Sequence, residues 1–213
     1  MNDNQIKNKL DSSAYMEMVR NGDLPFSKVP VKMITLEMCM LAVSTDGASL
    51  FYVPYEFKTK EVCEMAVLMS DSVLEFVPDE LKTYDLCLTA VIKNGFALQY
   101  VPNHIRTDEI YMISVANGMP LGDVPEKRRT RDLCIVAITC DALDLKDVPM
   151  DILTEDMCIM SVAKDVSTLQ YVPEKLRTKT VCEIAVKKDP YAIADVPDEI
   201  DLSSMMETIY TCC

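Results

Sequence analysis

Residues 169–186 read LQYVPEKLRTKTVCEIAV, and 71 positions earlier residues 98–115 read LQYVPNHIRTDEIYMISV. The two stretches are instances of one longer pattern. Val-Pro pairs begin at Val29, Val53, Val77, Val101, Val124, Val148, Val172 and Val196, in steps of 24, 24, 24, 23, 24, 24 and 24 residues. A fixed period of this length marks a stacked repeat, because a helical unit this short cannot bury its own apolar face. With each valine as position 0, position 6 is Thr35, Thr59, Thr83, Thr107, Thr130, Thr154 and Thr178. Position 10 is Cys39, Cys63, Cys87, Tyr111, Cys134, Cys158, Cys182 and Met206, and positions 13 and 14 pair a small residue with an aliphatic one, as in Ala42-Val43 and Ala185-Val186. A leucine or isoleucine stands three residues before the next Val-Pro: Leu50, Leu74, Leu98, Leu121, Leu145, Leu169 and Ile193.

These positions predict the local structure. Threonine is a good N-cap, and the acid two residues on (Glu37, Glu61, Asp85, Glu109, Asp132, Asp156) suits the positive first turn of a helix. Apolar residues at positions 10, 13 and 14, with 9 and 12 mostly apolar, trace a wide helical stripe of the kind squeezed between neighbours. Asp46, Asn94-Gly95, Asn117-Gly118, Asp141, Asp165 and Asp189 then break the helix. The rest of each unit reads as a short helical turn followed by a proline opening another. The expected unit is one helix of about eleven residues with a broken, shorter helical return. Residues 11–28 fit the second half of a unit, with Tyr15, Met18, Val19 and Phe26 in core places. The predicted fold is therefore all-α: an α-solenoid of about eight stacked 24-residue repeats, a single domain over residues 11–213 after an N-terminal extension of residues 1–10.

Bulk composition narrows the function. The 213 residues are 49% hydrophobic and 26% charged, which is ordinary for a folded chain. No stretch of about 18 apolar residues occurs, so no membrane span is expected, and the first residues lack the apolar core of a signal peptide. Nine cysteines without such a signal point to a reducing, cytoplasmic compartment. A net charge of −13 argues against nucleic-acid binding and for a basic protein partner.

The pattern V-P-E-x-L-R-T-x-x-x-C-x-x-A-V-x-x-D, clearest at residues 172–189 and 77–94, resembles a tandem helical-repeat family of bacteria, often host-associated ones, and some protists. That family is catalogued as a domain of unknown function. The resemblance spans about residues 11–205 and implies an α-helical solenoid, attached in some members to effector-type proteins. It brings no catalytic residues.

No catalytic, cofactor or metal site is expected. The six cysteines at position 10 lie in successive units roughly 9–10 Å apart, too far for disulfides and not converging as zinc ligands do. They read as small core residues, and Tyr111 and Met206 replace them. His104, the single histidine, falls where other units carry Glu80, Lys127 or Lys175, so an exposed imidazole is expected. The terminal Cys212-Cys213 pair reads as incidental. Position 5 carries Lys58, Lys82, Arg106, Arg129 and Arg177, a basic ladder that either pairs with acids at positions 2, 3 and 8 or meets a partner. A second row, Tyr52, Phe76, Tyr100 and Tyr171 at position 23, is expected to cover the seam between units. The regular pattern fails where the fourth unit lacks one residue and where Arg128 takes an apolar place, so Arg106, Arg128, Arg129 and Arg131 form the favoured contact region, with Lys58, Lys82 and Arg177 extending it. The chain reads as a protein–protein interaction scaffold and not an enzyme. The alternative is an acidic inhibitor or immunity protein that neutralises a basic enzyme.

Overall fold

The structure, a computed structural model, describes residues 11–202. Among these residues every regular element is helical. Eight α-helices run α1 (Ser12–Arg20), α2 (Leu36–Thr45), α3 (Lys60–Met69), α4 (Tyr84–Lys93), α5 (Asp108–Ala116), α6 (Arg131–Cys140), α7 (Glu155–Lys164) and α8 (Lys179–Lys188). The chain divides into two compact units, Met1–Ile110 and Tyr111–Cys213. In the first, α1 packs on α2, α2 on α3 and α3 on α4; in the second, α6 packs on α7 and α7 on α8.

Each helix starts where the threonine predicts. The Oγ1 of Thr35, Thr59, Thr83, Thr107, Thr130, Thr154 and Thr178 accepts the N–H three residues on, at 3.3–3.4 Å. Such a cap contributes on the order of 1 kcal/mol. The helices are 9 or 10 residues long, one or two fewer than the sequence pattern suggests. The reason lies at position 17. Asp46, Asn94, Asp141, Asp165 and Asp189 adopt extended backbone, φ −136 to −152°, and each serves two helices. The backbone N–H closes the last turn of the α-helix, while Oδ1 accepts the N–H two residues on and opens a 3₁₀ segment. Gly95 therefore does not take the left-handed conformation.

Gly118 does take that role, with φ +95°. It ends α5 in a six-to-one turn, Met119 N–H donating to Ser114 C=O at 3.0 Å. The one-residue deletion falls here: the 3₁₀ segment is Leu121–Asp123, against six residues at Gly95–Tyr100 and three at Leu74–Phe76. Gly47 is required for another reason. A Cβ there would collide with the Ala66 carbonyl and the Ser70 side chain at the end of α3.

The return half of each repeat is 3₁₀, not α. Of the four residues between the proline and the next threonine, three form the turn, as in Tyr55–Phe57 and Asp79–Leu81, enough for i→i+3 bonds and no more. The prolines sit one place earlier than expected, at the N-cap, with φ near −53 to −60° at Pro54, Pro78, Pro125 and Pro173.

The core is the face made by positions 9, 10, 13 and 14. Met38, Cys39, Ala42 and Val43 are buried, as are the matching quartets down to Val181, Cys182, Ala185 and Val186. The closing leucines Leu50, Leu74, Leu98, Leu121, Leu145 and Leu169 are buried too, whereas Ile193 is 40% exposed and its following repeat lies outside the described residues. Tyr15 of α1 and Phe26 of the 3₁₀ turn Phe26–Lys28 are buried as expected, but Met16 replaces Met18 and Val19 as the third buried side chain. No described helix is long and apolar enough to cross a membrane.

Candidate interaction surface

The basic ladder turns inward. The Arg129 guanidinium donates from Nε to Val124 C=O at 2.8 Å, from Nη1 to Asp147 C=O at 2.7 Å and from Nη2 to Gly122 C=O at 3.0 Å. Arg177 repeats the scheme on Val172 and Asp195, Arg106 on Val101 and Gln99, and the Lys58 ammonium takes Phe76 C=O at 2.7 Å. Val124 and Asp147 are the residue of one Val-Pro and the residue just before the next, so the base joins consecutive Val-Pro junctions. Burial pulls the Lys58 ammonium below its ordinary pKa. Of the expected acid partners, the described pairs show one on this row, Lys82 to Asp79 at 2.8 Å, with the lysine side chain 7% exposed.

Arg128 and Arg131 stand differently. Arg128 ends the turn Glu126–Arg128, Arg131 opens α6, and both are exposed. Arg106 belongs to the first compact unit and Arg128, Arg129 and Arg131 to the second. His104 is exposed. The terminal cysteines lie outside the described residues.

A second basic row was not anticipated. Lys93 donates to the carbonyls of Val67 and Leu68, Lys164 to those of Thr139 and Cys140, and Lys188 to those of Ala163 and Lys164. Each lysine at position 16 thus satisfies the last carbonyls of the preceding helix, where a cation is also favoured by the dipole. Lysine stands at three of the position-16 places, and the 24-residue step from Lys164 to Lys188 was the available signal. Cys140 occupies the same position, exposed, with Sγ 3.9 Å from Ala116 C=O.

The position-10 cysteines are unpaired and buried. Burial pushes the thiols of Cys39, Cys63, Cys87, Cys134 and Cys158 up to about 11, and raises Cys182. A rise of two units lowers the thiolate fraction roughly a hundredfold. Among the seven described cysteines the exposed Cys140 should therefore alkylate first and the six buried ones much more slowly until unfolding. Equal labelling rates in peptide mapping would contradict this burial.

Among the described residues Asp144 is the one buried acid, 6% exposed, and its Oδ1 accepts Leu121 N–H at 3.0 Å. It thereby caps the shortened 3₁₀ turn that lacks its own position-17 side chain. Burial raises its pKa. The folded state holds this proton more tightly than the unfolded state, so ionisation costs stability. That cost is fully present above the raised folded value and disappears as pH falls towards the ordinary aspartate value. Asp144→Asn keeps an acceptor and should flatten this part of the pH–stability curve, while Asp144→Ala, leaving the N–H unmet, should cost about 1–3 kcal/mol. An unchanged pH dependence in the asparagine variant would refute the assignment.

Exposed apolar side chains concentrate elsewhere. Phe51, Tyr52 and Tyr55 are 59%, 51% and 67% exposed. The Phe51 ring meets Tyr52 edge-on at 4.9 Å and Phe76 at 5.1 Å. The sequence reading found Tyr52, Phe76 and Tyr100 but not Phe51 or Tyr55, which share no position with them. Grooves lie between successive 3₁₀ segments. One of about 250 Å³ is lined by Asp71, Glu75, Phe96 and Tyr100, and one of about 600 Å³ by Asp165, Asp189, Tyr191 and Asp195.

The fold and this surface define an all-α tandem-repeat protein with acidic, partly aromatic grooves. The family model described as "Domain of unknown function (DUF4116)" matches residues 35–82 and 154–201. Each match runs from a capping threonine, Thr35 or Thr154, across two 24-residue periods. No curated protein and no solved structure matches the chain.

Proposed function

We propose that this chain is a protein–protein interaction scaffold and not an enzyme. The observation that carries the reading is the division of charge. The position-5 and position-16 bases are largely engaged with main-chain carbonyls, whereas acids and aromatic rings stand exposed along the 3₁₀ face. A field of that kind suits a basic protein surface, and solenoids meet partners through extended faces. The buried thiols, held protonated, are poor nucleophiles. In this reading the contact surface shifts from the ladder heads to the 3₁₀ face, with Arg131 as an exposed base for a partner carboxylate. The setting is a reducing, cytoplasmic compartment.

The same field supports a narrower role, neutralisation of a basic enzyme by covering its anion-binding cleft. Capture of partners from extracts of the source cell, followed by hydrogen-exchange mapping on the purified complex, tests both. A saturable complex protecting the 3₁₀ face supports the scaffold, and loss of the captured enzyme's activity selects the inhibitor. Protection confined to the opposite α-helical face would reject the proposed surface.

A further inference from the structure

Resting on the scaffold reading, we infer that the first compact unit carries a docking site for an extended, arginine-rich segment of the partner, seated on Phe51, Tyr52, Tyr55, Glu75, Glu80 and Tyr100. Three of the rings touch and two carry a neighbouring acid. Phe51 meets Tyr52 and Phe76, the Tyr55 hydroxyl donates to the Glu80 carboxylate, and Tyr100 and Glu75 line one groove. Isolated surface apolars need no explanation, but three large rings each more than half exposed within five residues do.

Charge selects the occupant. The nearby bases are withdrawn, Lys58 onto Phe76 C=O and Lys82, 7% exposed, onto Asp79. Glu56, Glu75 and Glu80 remain at the surface beside the rings. A ring face attracts a cation, and a carboxylate that already accepts a tyrosine hydroxyl keeps lone pairs for a guanidinium. A wholly apolar partner would have to desolvate these carboxylates without replacement, and a nucleic acid would be repelled.

Geometry selects the spacing. The same juxtaposition, position 22 of one repeat beside position 23 of the next, sets Phe51 against Phe76 and puts Glu75 and Tyr100 in one groove. Neighbouring repeats are roughly 9–10 Å apart, and an extended or polyproline chain rises about 3.1–3.3 Å per residue. One guanidinium every third residue therefore stays in step with the repeats. In the second unit position 22 holds Gly122, Lys146, Gln170 and Ala194, and position 23 keeps a single ring, Tyr171, so the paired rings of the site belong to the first.

The test uses two fluorescent twelve-residue peptides of one composition on the full chain, one with arginine at every third position and one with the arginines consecutive. Fluorescence anisotropy at physiological salt should give the spaced peptide a roughly fivefold or greater advantage. Phe51→Ala, Tyr52→Ala and the isosteric Glu75→Gln should each weaken it by about tenfold, and Tyr191→Ala in the second unit should not. Circular dichroism confirms that each variant is folded, and Glu75→Gln keeps the test decisive if an aromatic variant is not. Equal affinity for both peptides, or equal loss at Tyr191, would reduce the effect to net charge and overturn the site. So would the absence of saturable binding. None of these results touches the scaffold reading, which the mapped natural complex decides.

Discussion

Replacing Arg129 by alanine should lower the melting temperature by roughly 5–10 °C, the equivalent of about 2–4 kcal/mol. The guanidinium satisfies three carbonyls, those of Gly122, Val124 and Asp147, and the substitution leaves all three short of a donor. Lysine recovers part of the loss, because one ammonium cannot span three acceptors held by a planar fork. Arg131→Ala provides the contrast. Arg131 is exposed and opens α6, where a cation opposes the helix dipole, so its removal should fall within about 0.5 kcal/mol of neutral. Thermal unfolding followed by circular dichroism reads both. Equal melting temperatures for the two variants would show that the Arg129 bonds contribute nothing net.

Leu98→Ala should cost about 2–5 kcal/mol, while Ile193→Ala, at the same position of a later repeat, should cost less than about 1 kcal/mol. Leu98 is 1% exposed, so truncation opens a cavity as well as losing transfer energy; Ile193 is 40% exposed and leaves little void. Chemical denaturation measures the difference. A near-neutral Leu98→Ala would mean that the closing leucines do not anchor the repeats.

Much of this was legible because a period repeats its own evidence. One threonine before an apolar run is a weak helix start; seven at a constant offset are strong, and all seven cap. The cysteines read as core for the same reason. What the pattern concealed depends on backbone direction. Position 17 was visible as a break, but not that Asp46 and its counterparts close one helix and open another. The basic ladder was visible as charge, but its acceptors are carbonyls, which every residue possesses and no sequence displays. Asp144 was hidden because its partner, Leu121 N–H, becomes an orphan only through a deletion 23 residues or more away in the chain. On the candidate surface, Tyr52, Phe76 and Tyr100 announced themselves by recurrence, whereas Phe51 and Tyr55 occur once each at their positions and join the patch only in space.

The lysines of position 16 bear on how such a chain can grow. Lys93, Lys164 and Lys188 recognise the main chain of the preceding repeat, and a carbonyl is the same whatever side chain sits above it. A repeat copied or deleted by unequal recombination therefore meets a familiar neighbour at once, without a matching substitution on the other side of the junction. Side chains that face solvent are then free to diverge repeat by repeat while the joints between repeats stay interchangeable. Lineages carrying this repeat can change the number of courses and the chemistry of the exposed face as two separate variables.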